Sequence, residues 1–178
     1  MHSVNLGLYD KAIEATRSLD DYDRVQFDAA AEVGAHAVSK GQLEAVDKIV
    51  KTIESTPAKE NEESRVQALV VIARAEAEQG RFAAAQELLF NTMPLVEKSE
   101  NSPETLKDFA VAFAEAGNIR TALQWVLRID APFFTTQALT DIGTLCAQRK
   151  LTLDDGDLAV LSEVVKVGRS SNLGLAEW

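Results

Sequence analysis

The stretch Ile72-Ala73-Arg74-Ala75-Glu76-Ala77-Glu78-Gln79-Gly80-Arg81-Phe82-Ala83-Ala84-Ala85 decides the fold. Helix-forming residues run unbroken to Gly80 and resume just beyond it. Glycine adopts the left-handed conformation that closes a helix at little cost. The stretch therefore reads as a helix, a tight turn and a second helix. Working outward, the same marker returns at Gly7, Gly41 and Gly117, and at Lys150 with lysine in place of glycine, with spacings of 34, 39, 37 and 33 residues. Two residues after each glycine stands a large apolar residue: Tyr9, Leu43, Phe82 and Ile119. Five residues after stand Ala12, Val46, Ala85 and Ala122. Seven residues before the last four markers stand Gly34, Ala73, Ala110 and Gly143, preceded by Val33, Ile72, Phe109 and Ile142.

These columns have a direct physical meaning. The small residues are expected where the two helices of a pair cross, because a larger side chain would push the axes apart. The large apolar residue after each turn is expected to plug the gap beside that crossing. The pattern predicts helices at 7–18, 23–39, 42–56, 63–79, 82–97, 103–116, 119–129, 133–149 and 155–167. Residues beyond a regular unit fall into Glu54–Ser64, with Pro57 and a Glu-rich run, and into Lys98–Pro103. The second of these ends in a helix start: Ser102 caps, Pro103 suits the first helical position, and Glu104 suits the positive end of the helix dipole. Asp130-Ala131-Pro132 reads as a short stop. The tail from Gly168 reads as frayed, with Leu173, Leu175 and Trp178 available to dock it.

Composition agrees with an all-α chain. Of 178 residues, 46% are hydrophobic and only 6% aromatic, and Gly and Pro number 9 and 4. This supports close helix packing without long loops, and no stretch alternates with the period of a strand. The net charge of −10, from 28 acidic and 18 basic residues, argues against nucleic-acid binding, which needs a basic face. It argues equally against docking on an anionic membrane. No run approaches the roughly 18–20 apolar residues that span a bilayer, and Met1–Leu8 lacks the pattern of a signal peptide. The single cysteine, Cys146, excludes an intrachain disulfide and fits a reducing compartment. The expected location is cytoplasmic.

Gly7-Leu8-Tyr9-Asp10-Lys11-Ala12, Gly80-Arg81-Phe82-Ala83-Ala84-Ala85 and Gly117-Asn118-Ile119-Arg120-Thr121-Ala122 match the Gly-x-aromatic-x-x-Ala turn of one family, with isoleucine for the aromatic in the last. Val33-Gly34, Ile72-Ala73, Phe109-Ala110 and Ile142-Gly143 match its Leu-Gly or Leu-Ala in the first helix. Over residues 7–150 the chain thus resembles the tetratricopeptide repeat (TPR), whose unit is two antiparallel helices in about 34 residues. It departs in lacking the tryptophan near the start of the first helix, where Ala30, Leu69, Leu106 and Leu139 stand. The resemblance implies a right-handed α-solenoid of about nine helices, one helical-repeat domain over 1–178. Its units are roughly 1–22, 23–62, 63–102, 103–132 and 133–168, with a tail at 169–178. The first unit has only six residues before Gly7, so either 7–18 is a lone capping helix or the chain is the C-terminal part of a longer solenoid.

The resemblance also implies a concave groove lined by the first helices. Its columns fall on Asp28, Ala31, Ala35 and Val38; on Gln67, Val70, Arg74 and Glu78; on Glu104, Lys107, Val111 and Glu115; and on Gln137, Thr140, Thr144 and Gln148. A peptide would pack on Val70 and Val111 and pair with the charges beside them. Arg74 and Glu78 also suit a simple i,i+4 ion pair.

Catalytic chemistry finds little support. His2 is terminal, and His36 has no ligand at metal spacing and reads as a half-buried structural residue. Cys146 falls on a buried column. Asp154-Asp155-Gly156-Asp157 lacks the spaced oxygens and final glutamate of a calcium loop and more simply starts a helix. No phosphate-binding glycine loop or nucleophile elbow is present. Trp125 reads as core, and Phe133-Phe134 as a half-exposed pair on the rim. The expected function is a scaffold that binds a partner protein or peptide, with no cofactor, metal or enzymatic activity. The alternative is self-assembly through a solenoid end.

Overall fold

The structure, a computed structural model, describes residues 2–17, 23–57 and 61–173. Among these the chain is all-helical, with nine helices and no strand: α1 (His2–Arg17), α2 (Asp23–Ser39), α3 (Leu43–Ser55), α4 (Glu62–Glu78), α5 (Phe82–Lys98), α6 (Pro103–Glu115), α7 (Ile119–Val126), α8 (Pro132–Arg149) and α9 (Asp155–Leu173). They form two compact units, Met1–Glu100 and Asn101–Trp178. The divide falls within the Lys98–Pro103 connection.

One hydrogen-bonded turn closes four of the helices. Gly41, Gly80, Gly117 and Lys150 have φ of 68°, 73°, 84° and 53°. At each, the marker N–H donates to the carbonyl three residues back: Val38, Ala77, Ala114 and Ala147. The next N–H donates to the carbonyl five residues before it: Ala37, Glu76, Phe113 and Cys146. This double bond is the Schellman closure, which satisfies carbonyls that a helix end leaves without partners. At the first three turns the following residue also begins the next helix. The carbonyls of Gln42, Arg81 and Asn118 accept from Val46, Ala85 and Ala122 at 3.1, 3.0 and 3.1 Å. Three helix hairpins thus share one backbone conformation. Lys150 closes α8 in the same way, but Leu151–Asp154 separate it from α9.

Lys150 carries a Cβ in a conformation that disfavours one. Lys150→Gly is expected to raise the stability of its unit by about 1 kcal/mol, read as a higher urea midpoint at unchanged slope.

Side-chain caps fix several helix starts. Asn61 accepts from the Ser64 N–H, Ser102 from Thr105 and Asn118 from Thr121, each at 3.2 Å. Asp154 accepts from the Asp157 N–H at 2.9 Å while Asp157 accepts from the Asp154 N–H at 3.1 Å. This reciprocal capping confirms that the acidic run starts a helix.

Within the first unit α2 and α4 pack side by side, α3 lies on both, α5 packs on α4, and α1 packs on α2 and α3. Within the second, α6 packs on α7 and α8, and α9 lies on α7 and α8. Phe27, Val38, Ile49, Ile53, Leu69, Ile72 and Leu89 are fully buried in the first core; Phe109, Phe113, Leu123 and Val126 in the second. Ala73 and Ala110 are buried as the crossing residues require. A Cβ on Gly34 would lie 2.6 Å from Ile72 Cδ1.

Several expectations need correction. Gly7 lies inside α1 and closes no helix. Leu43 and Phe82 are 52% and 42% exposed and plug no gap; of the described large residues after the shared turns, only Ile119 is buried. Gly143 meets no atom within 4 Å of a notional Cβ, so it marks no tight crossing. α7 ends at Val126, earlier than predicted, because the chain tightens: Arg128 and Ile129 donate to carbonyls three residues back, at Trp125 and Val126. Ala131 is then extended, as a residue before proline must be. α9 continues through Gly168 to Leu173 rather than fraying. The expected docking of Leu175 and Trp178 lies outside the described residues.

Candidate functional site

The expected groove residues divide between the two units. In the first, Gln67, Val70, Arg74 and Glu78 lie along α4. Val70 is only 3% exposed, because α4 is covered by α2, α3 and α5. Glu78 is exposed, and Gln67 and Arg74 are half-buried. In the second, Lys107, Val111 and Glu115 lie on α6, and Thr140 and Thr144 on α8. Val111 is 7% exposed, since α6 packs on both α7 and α8. Lys107 pairs with Asp108 at 3.0 Å. The Arg149 guanidinium donates to the Glu115 carbonyl at 2.6 Å, tying the ends of α8 and α6 together. Thr140 and Thr144 are exposed. The apolar anchors expected at Val70 and Val111 are therefore core residues, and what these faces offer is polar.

Of the other groove columns, Ala31 and Val38 are buried and Asp28 is exposed beside Arg24. His36 is exposed near the Tyr9 ring, with centroids 6.2 Å apart, rather than half-buried. Cys146 is free and half-buried rather than core. Burial raises its thiol pKa, and the nearby Asp157 charge raises it further, which makes it a poor nucleophile. Trp125 is buried, edge-on to Phe109 and under Arg128, as a core tryptophan should be. Phe133 is 65% exposed, with its ring edge-on to Phe134. Among the described residues no group of three or more His, Cys, Asp or Glu side chains could hold a metal ion, and no helix is long and apolar enough to cross a membrane.

Three clefts open on these surfaces. One, of about 510 Å³, lies between α1 and α3 and is bridged by Lys48 and Asp10 at 3.0 Å. The hydrogen bond that Lys48 donates to Asp10, with that carboxylate's charge, raises the Lys48 pKa. A second, of about 370 Å³, lies between α3 and α5, with Glu76 at its inner end. Glu76 is buried and bonded to Arg81, whose guanidinium also donates to the Val38 carbonyl at 2.9 Å. The third, of about 550 Å³, lies in the second unit between the α7–α8 connection and α9, and its lining includes Ile129, Leu139, Val164 and Val167.

α9 is held at its start by a charged clamp. Arg120 on α7 reaches both carboxylate oxygens of Asp154, at 2.6 and 2.7 Å, and Asp157 at 3.3 Å. The backbone hydrogen bond from Asp157 lowers the Asp154 pKa, and the Arg120 hydrogen bond lowers it further. A Cβ on Gly156 would collide with the Arg120 guanidinium, so glycine is what lets the arginine cross this turn. The sequence showed Asp154–Asp157 as a helix start but gave no sign of Arg120, whose contact spans 34 residues.

No protein-family model, no curated protein and no solved structure matches the chain.

Proposed function

We propose that this chain is a protein-interaction scaffold of the TPR-like kind, a right-handed solenoid of helix pairs that holds a partner protein or peptide and performs no catalysis. The observation that carries the reading is the fourfold recurrence of one helix closure, at Gly41, Gly80, Gly117 and Lys150. Repetition of a single hairpin is how a chain builds an extended surface from interchangeable parts, since each pair buries its apolar side only against its neighbours. Such a surface serves contact. Large apolar side chains left exposed, including Phe133 at 65% and Phe90 at 45%, support the same reading. Gln67, Arg74 and Glu78 in the first unit, and Lys107, Glu115, Thr140 and Thr144 in the second, are the polar positions each unit contributes. The acidic balance and single cysteine favour a cytoplasmic setting, without membrane or nucleic acid.

The second reading is self-assembly through an exposed solenoid end. Solution mass measured by light scattering over a wide concentration range separates the two. A mass of 19.4 kDa throughout is expected. A mass that rises with concentration would mean that a second copy covers that end, and the self-assembly reading would replace this one.

A further inference from the structure

Second helices that follow one another pack together elsewhere in each unit: α1 on α3, and α7 on α9. α3 and α5 are the exception. Each packs on α4 and neither packs on the other, which leaves the 370 Å³ cleft between them. Two short ridges face each other across it, Val46 and Val50 from α3, Ala84 and Leu88 from α5, each pair spaced i,i+4. Val46 and Leu88 are 6% and 9% exposed and form the floor; Val50 is half-buried and Ala84 exposed. A ridge of side chains from a third helix fits between two such rows.

The walls carry more negative than positive charge. Asp47 and Glu54 stand on the α3 side and Glu87 on the α5 side, all exposed, while Lys51 is the single cation among the described lining residues. An apolar floor between acidic walls selects a ligand with an apolar stripe flanked by positive charge. A second copy of this chain, at a net charge of −10, brings like charge instead.

We infer that the α3–α5 cleft binds a basic amphipathic helix of another protein. This rests on the scaffold reading and places the contact on the second helices, away from the first-helix groove.

The test is a fluorescence-anisotropy titration with a labelled synthetic helix about four turns long, carrying leucines along one stripe and lysines on its flanks. Saturable one-to-one binding is expected, weakening as salt rises. Glu54→Lys with Glu87→Lys should weaken it at least about tenfold. Ala84→Trp, which fills the cleft without changing charge, should do the same. Glu32→Lys with Glu100→Lys, exposed positions on α2 and just beyond α5, should leave it within about twofold. Circular dichroism confirms that each variant is folded. The inference is overturned if the helix does not bind, if an all-polar lysine peptide binds equally well, or if the Glu32/Glu100 pair weakens binding as much as the cleft pair. Capture of a partner at any other surface would leave the scaffold reading standing.

Discussion

Replacing Phe109 by alanine is expected to cost the second unit about 3–5 kcal/mol, the range for deleting a fully buried phenylalanine. Phe109 has no exposed surface, and its ring stands edge-on to Phe113 at 5.1 Å and to Trp125 at 4.8 Å. The loss includes buried area, the cavity left behind and two aromatic contacts. The contact with Trp125 joins α6 to α7, so the hairpin closed at Gly117 loses its centre. A small domain has only about 5–15 kcal/mol in hand. The urea midpoint should fall sharply, and the near-ultraviolet dichroism of Trp125 should be lost in the same transition. Phe133→Ala, at a site 65% exposed, should stay within about 0.5 kcal/mol.

Gly34→Leu is expected to cost the first unit about 3 kcal/mol, at the upper end for overpacking a core. A Cβ on Gly34 would meet Ile72 Cδ1 at 2.6 Å and Cγ1 at 2.7 Å, and Ile49 Cγ2 at 3.4 Å. Both isoleucines are fully buried, so neither has room to yield. The larger side chain must force α2 and α4 apart. Gly34→Ala sets a gain of about 1 kcal/mol in helix propensity against a smaller clash and should cost less. Combined with Ile72→Val, it should lose less than the sum of the two single changes, because the valine removes the methyl that the new Cβ strikes. Equilibrium denaturation of the two single variants and the double variant checks the coupling.

These two sites show what the sequence made legible. Gly34, Ala73 and Ala110 were placed at helix crossings by their spacing from the turns, and Gly34 meets Ile72 as that reading requires. Gly41, Gly80, Gly117 and Lys150 were identified as turns because helix closure is a local event, written within six residues. Gly7 shared the spacing but not the setting, and so became part of α1. Exposure was harder to read. Leu43 and Phe82 occupy a column that buries Ile119, yet face solvent. Val70 and Val111 occupy columns expected to be open, yet are core. Which face of a helix is covered depends on how many neighbours it has, and the period along the chain does not carry that number. The α3–α5 cleft is not legible in the sequence for the same reason. It arises where two second helices fail to meet, and no residue along either helix announces the gap.

The scaffold reading is tested most directly by capturing the partner in cells that make this protein. A benzophenone amino acid placed at Asn91, which lines the α3–α5 cleft, and separately at Thr140 on α8, reports whatever touches each surface when illuminated. The account predicts a discrete adduct between this chain and a different protein. It should be strongest from Asn91, with a basic helical segment as the crosslinked peptide, and be lost when Glu54 and Glu87 are changed to lysine. Adducts only between copies of this chain, or none from either position, would contradict it.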